Sequence, residues 1–179
     1  IHSMIEGLPP GAKGEFQITD AIQRLIEAGE PVAPVEVRGW WKDTGKPEDI
    51  LDANRLLLMR AKRDVKGTVD GAQLIGEVVI EEGAVVRDTT IFGPAIVGAG
   101  AEVVGAYIGP FTAIGEECVI HNAEIEYSVV GARTTIQGVG PRLQASLIGE
   151  DVRIGGHRGR PSTHRLVVGD ESTILLQEG

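Results

Sequence analysis

The chain has 179 residues, enough for one ordinary domain or two small ones with a real core. Its formal net charge of −9 argues against nucleic-acid binding, which needs a positive field along the phosphates. The single cysteine, Cys118, excludes an internal disulfide and fits a reducing, cytoplasmic setting, and the opening residues IHSMIEGLPP lack the basic start and apolar run of a signal peptide.

The first predicted element is a helix over 18–29, in which Ile18, Ala21, Ile22, Leu25 and Ile26 share one face and Gly29 ends the run. Asp20, three residues before Gln23, offers a capping-box start. PVAPVEVR (31–38) reads as a strand, with Pro34 favouring a sheet edge. RGWWKDTGKPE (38–48) is a loop that holds both tryptophans of a chain with only 4% aromatic residues. Two readings of it stay open: the rings anchor a core, or they wall a binding site while Asp43 meets a cation or a phosphate.

A second helix is predicted over 47–63. Pro47 suits the first helical position, Glu48 and Asp49 complement the positive end of the dipole, and Ile50, Leu51, Leu57 and Leu58 are candidates for the buried face. Two helices and one strand cannot close a sheet domain, because a lone strand leaves its backbone groups unpaired. Residues 1–66 are therefore expected to be the end of a larger α/β domain, and the chain a fragment.

From Leu74 onwards the sequence is periodic, and a fixed period outranks other signals. Leu74, Ile80 and Val86 are followed by Ile91, Val97 and Val103, then by Ile108, Ile114 and Ile120, each set seventeen residues after the last. The hexads IEEGAV, VGAGAE, IGPFTA and IGEECV put Ala84, Ala101, Thr112 and Cys118 at their fifth positions. Three such units make one triangular coil, with the aliphatic side chain inward, the small residue near the corner, and glycine or an acid at the turn. The expectation is a mainly β chain, with a parallel β-helix of about five coils over 67–179. The register slips after Ile120 and resumes at Val130 and Ile148. Residues 94–115 are apolar enough to suggest a membrane span, but Pro94, Pro110 and many glycines interrupt them, so they are read as coil interior. RIGGHRGRPSTHR (153–165) gathers Arg153, Arg158, Arg160 and Arg165. A solvated or subunit-packing loop and an anion site are both open readings of that cluster.

GEFQITDAIQRLIEAG (14–29) and RGWWKDTGKPEDILDANRLLL (38–58) resemble the closing motifs of sugar-1-phosphate nucleotidyltransferases. The hexads that follow, and the tail HRLVVGDESTILL (164–176), are similar to the form of that family with a C-terminal left-handed β-helix. The resemblance implies a left-handed coil, sugar-1-phosphate and nucleoside triphosphate as substrates, Mg²⁺, and Asp43 as one of two metal-binding aspartates. It also implies that Trp41, Glu15 and Thr19 lie on the sugar side, with no clear role for Trp40. Blander readings stand beside these: a turn or capping role for Asp43, and capping or solvation for Glu15 and Thr19. The family's Gly-rich nucleotide loop, its first metal aspartate and its catalytic basic residue have no counterpart here, so this segment alone is expected to be catalytically silent.

A rival class is a hexapeptide-repeat acyltransferase, for which His121, His157 and His164 are the candidate bases. A third reading makes the coil an assembly module, since its open ends favour a homo-oligomer. No reading calls for a membrane or nucleic acid.

Overall fold

The computed structural model describes residues 1–11, 14–39, 41–156 and 166–176. The chain separates into two compact units, Ile1–Trp41 and Lys42–Gly179.

The first unit contains helix α1 (His2–Ile5), which the sequence did not announce, and helix α2 (Ile18–Glu27). Ala21 is buried, and Arg24 reaches back to donate to the Met4 and Gly7 carbonyls at 3.4 and 3.2 Å. Gly29, at φ +75°, closes α2 by donating its N–H to the Ile26 carbonyl. The start differs from expectation. Gln17 is the N-cap and no side chain caps the helix, while Asp20 lies inside the first turn, so the predicted capping box is not formed. The apolar face is also only partly covered, with Ile18 58% and Ile26 53% exposed. The strand predicted over 31–38 is absent, and Val35 is 86% exposed. Among the described residues no neighbouring strand offers that segment a ladder.

The second unit opens with helix α3 (Pro47–Leu58), which has Pro47 in the first turn and Asp49 accepting from the Lys46 N–H at 3.2 Å. It stops five residues short of the predicted end, at a C-cap on Met59. Leu51 and Leu58 are buried, whereas Ile50 and Leu57 are exposed, so the covered stripe is narrower than the sequence suggested.

Beyond α3 the chain winds through three parallel sheets. One face, which begins at Asp64–Val65, carries Val78–Ile80, Ala95–Val97, Thr112–Ile114, Val129–Val130, Leu147–Ile148 and Val167–Val168. The second runs from Thr68–Asp70 through Val119–His121 to Thr173–Leu176, also with seven strands, and the third from Gln73–Ile75 to Leu143–Gln144 with five. The solenoid therefore has about six turns, one more than the hexad count suggested.

The seventeen-residue period is the register itself. Leu74 pairs with Ile91 and Ile91 with Ile108, Ile80 with Val97 and Val97 with Ile114, and Val86 with Val103 and Val103 with Ile120. Each inward aliphatic thus stacks on its counterpart in the next coil, and all nine except Leu74 are fully buried. Burying one such side chain stabilises by roughly 1.5–3 kcal/mol. Ala84, Ala101, Thr112 and Cys118 are buried at the corners, as their size predicts. Glycine at the turn answers to space. A Cβ on Gly98 would stand 2.7 Å from the Glu116 nitrogen of the next coil, and one on Gly115 would stand 2.8 Å from that of Ala132.

The slip after Ile120 is absorbed without loss of pairing, since Ile114 pairs with Val130 and Val130 with Ile148. Buried hydroxyls satisfy backbone donors of the next coil. Ser128 Oγ accepts the Ser146 N–H at 3.0 Å, Ser146 Oγ accepts that of Leu166 at 3.0 Å, and Thr134 Oγ1 accepts that of Val152 at 3.2 Å. Residues 94–115 form four short strands with side chains alternately in and out, and no helix among the described residues is long and apolar enough to cross a membrane.

Candidate functional site

The predicted sugar-side residues fall in the first unit. Glu15 and Thr19 are exposed, Thr19 in the first turn of α2, and Glu15 lends its carbonyl to the Gly11 N–H at 2.8 Å. Trp41 is 71% exposed, so it anchors no core among the described residues. Trp40 lies outside the described residues. Among the described residues, no hydrogen bond or ion pair joins the Glu15, Thr19 and Trp41 side chains to one another.

Asp43 belongs to the second unit, in the loop before α3, and is exposed. Among the described residues no group of three or more His, Cys, Asp or Glu side chains is placed to hold a metal ion. Asp43 therefore offers a cation its own carboxylate, without a cluster of partner ligands among the described residues. That fits Mg²⁺, which keeps several waters and takes one or two carboxylates together with substrate phosphates.

The neighbours of Asp43 are more ordered than the sequence suggested. Lys42 Nζ donates to Asp52 Oδ2 at 2.9 Å and lies 3.5 Å from Asp49 Oδ1. Tyr127, from the coil, donates its hydroxyl to Asp52 Oδ1 at 3.0 Å. Asn54 Nδ2 donates to the Phe111 carbonyl at 2.9 Å, and the Phe111 ring meets that of Tyr127 edge-on at 6.1 Å. The hydrogen bond from Lys42, then that from Tyr127, holds the Asp52 carboxyl below its usual range, and the bond to Asp52 raises Lys42. Burial, then Asp52, raises the Tyr127 hydroxyl, which stays a protonated donor. Sequence reading missed this cluster. The three-residue spacing of Asp49 and Asp52 on one helix face was an available signal. Nothing in the sequence pointed to Tyr127, 75 positions from Asp52.

Among the described residues, two grooves can be outlined on the coil. One, of about 370 Å³, is lined by Tyr107, Asn122, Glu124 and Val139 among others, and the second, of about 320 Å³, by Asp64, Lys66, Glu81 and Glu82 among others. Neither is lined by Asp43 or His121. His121 ends a strand, with Nε2 3.2 Å from Glu102 Oε1. Cys118 donates its thiol to the Gly131 carbonyl at 3.0 Å, and burial raises its pKa, as expected of a packing residue. Arg153 lies on a strand of the second face, whereas Arg158, Arg160, Arg165, His157 and His164 lie outside the described residues.

Residues 1–60 match the family described as Nucleotidyl transferase. Among the relatives the chain is similar to are glucose-1-phosphate thymidylyltransferases. That of Streptomyces griseus is 43% identical over 98% of this chain and 50% of its own length. That of Streptomyces antibioticus is 42% identical over 99% of this chain and 50% of its own. The chain thus spans about half the length of these relatives. Among solved structures, a perosamine N-acetyltransferase mutant from Caulobacter crescentus shares the fold, with a TM-score of 0.52 and 21% identity over 60% of this chain and 53% of that one. At that identity the likeness speaks for the coil alone.

Proposed function

We propose that the chain is the C-terminal part of a sugar-1-phosphate nucleotidyltransferase that forms dTDP-glucose and pyrophosphate from dTTP and glucose-1-phosphate with Mg²⁺. The supporting observation is 42–43% identity to thymidylyltransferases across nearly the whole chain. In this reaction an oxygen of the sugar phosphate attacks the α-phosphorus of the triphosphate, and pyrophosphate leaves. Two anions must be brought together, and a divalent cation supplies the charge that permits it. Asp43 would hold that cation through its carboxylate. The Trp41 ring lies against the C–H face of the pyranose, and Glu15 and Thr19 meet its hydroxyls. The 1–66 segment belongs to the transferase domain and 67–179 to the coil, although by contact α3 groups with the coil.

In this reading the segment is silent alone, because it lacks the Gly-rich nucleotide loop of the family. The protein acts in the cytoplasm as a homo-oligomer, with the coil supplying much of the contact and the arginine-rich segment 153–165 at its rim. The test is product identification. The complete enzyme, given dTTP, glucose-1-phosphate and Mg²⁺, should yield dTDP-glucose by mass spectrometry. An acetylated sugar formed from acetyl-coenzyme A, with no nucleotide sugar, would overturn the reading in favour of an acyltransferase.

A further inference from the structure

Asp43, Thr44 and Gly45 lie between two lysines, and one side chain holds both ends of that span. Asp49 meets Lys42 Nζ at 3.5 Å through Oδ1 and accepts the Lys46 N–H at 3.2 Å through Oδ2. Asp52, three residues further along α3, also uses both oxygens, accepting from Lys42 at 2.9 Å and from Tyr127 at 3.0 Å. Tyr127 is rooted in the coil, at a corner where its φ of +48° and the edge-on Phe111 ring fix its direction. Phe111 in turn accepts from Asn54, so α3 is pinned to the coil at two points less than a turn apart.

Packing of a helix on a sheet does not require this arrangement. An isolated exposed ion pair contributes about 0–1 kcal/mol, and a surface tyrosine is satisfied by water. A chain of donors and acceptors that ends at the residue beside Asp43 serves position instead. We propose that Tyr127 is a positioning residue for nucleotidyl transfer: through Asp52 and Lys42 it ties the loop bearing Asp43 to the β-helix, so that the coil orders this carboxylate before metal and phosphates arrive. The inference rests on the metal role assigned to Asp43 above. It makes the coil part of the catalytic apparatus, because ordering a ligand beforehand removes that entropy loss from binding.

The loop itself can be measured on this chain without metal or substrate. Backbone amide order parameters at 43–45 should be near 0.85, the rigid value, and fall below about 0.6 in Tyr127→Phe, with the amides of 112–130 unchanged. Phenylalanine keeps the ring against Phe111 and removes only the hydroxyl. Lys42→Met leaves the coil untouched and should loosen the same loop. In the complete enzyme, Tyr127→Phe should raise the Mg²⁺ concentration for half-maximal rate about tenfold, the scale of one hydrogen bond to a charged group. The KM for the sugar phosphate should stay unchanged, and Lys42→Arg should remain close to wild type. Unaltered order parameters in both Tyr127→Phe and Lys42→Met would overturn the proposal. If Tyr127→Phe also disturbs the coil amides, Lys42→Met decides alone, and a rigid loop there counts against it. Full activity in Asp43→Asn would instead remove the metal role, a separate failure that leaves the loop measurement standing.

Discussion

Replacing Ile120 with alanine removes three carbons from a side chain with no solvent exposure. Ile120 is stacked between Val103 and Ile136, its register partners in the coils on either side. At about 0.8 kcal/mol per buried CH₂, the lost transfer free energy is roughly 2.4 kcal/mol. A cavity term adds to this, because the coils cannot close on the gap. Their spacing is fixed by backbone bonds on both sides, Glu102 N–H to the Cys118 carbonyl at 2.7 Å and Val119 N–H to that of Thr134 at 2.9 Å. The expected total is about 3–4 kcal/mol, in the middle of the range for such truncations. Ile75→Ala is the control: Ile75 is exposed at the end of the third face, and its loss should cost about 0.5 kcal/mol. Urea unfolding followed by far-ultraviolet circular dichroism reads both, as midpoint shifts at constant slope. Equal midpoints for the two variants would refute the stacked-coil account of stability.

Ile114→Asp should destabilise by several kcal/mol, since an unpaired carboxylate would enter the same ladder; a variant that melts within a degree or two of wild type would contradict this. A pH effect follows from Asp151, whose carboxyl the hydrogen bond from Arg133 holds below its ordinary 3.8. Its stabilisation is complete above 3.8 and is lost as pH falls through the folded value, so the melting-temperature gap between wild type and Asp151→Asn should be present at neutral pH and shrink below pH 3.8. A gap that widens in acid would reverse the sign. Sedimentation at micromolar concentration should show a dimer or tetramer, and Arg158→Ser with Arg160→Ser should weaken it if those guanidiniums bridge copies. A 19.0 kDa monomer across the concentration range would remove the assembly role of the coil.

The coil was readable because it is a one-dimensional code. Each inward position repeats at a fixed interval, so a ladder such as Ile80, Val97 and Ile114 can be picked out by spacing alone. In the later turns the ladder that resumes at Val130 and Ile148 was readable, whereas the buried hydroxyls of Ser128, Ser146 and Thr134 look like ordinary surface residues in sequence. The first unit was harder. α2 followed from its period, but its cap did not, and the 31–38 strand failed because β-propensity cannot supply a partner strand. Around the loop at 38–48, the motif singled out Asp43 and Trp41. It was silent on Asp52 and Tyr127, because their meeting depends on how α3 rests on a coil far along the chain.

Pyrophosphate release from dTTP and glucose-1-phosphate probes function and site together when it is compared across three proteins: the complete enzyme, its Asp43→Asn variant, and the 179-residue chain. The expected result is Mg²⁺-dependent release by the complete enzyme, loss of most of it in Asp43→Asn with the melting temperature preserved, and none from the chain alone. Near-normal release by Asp43→Asn, or no release by the complete enzyme with any triphosphate, would contradict the account.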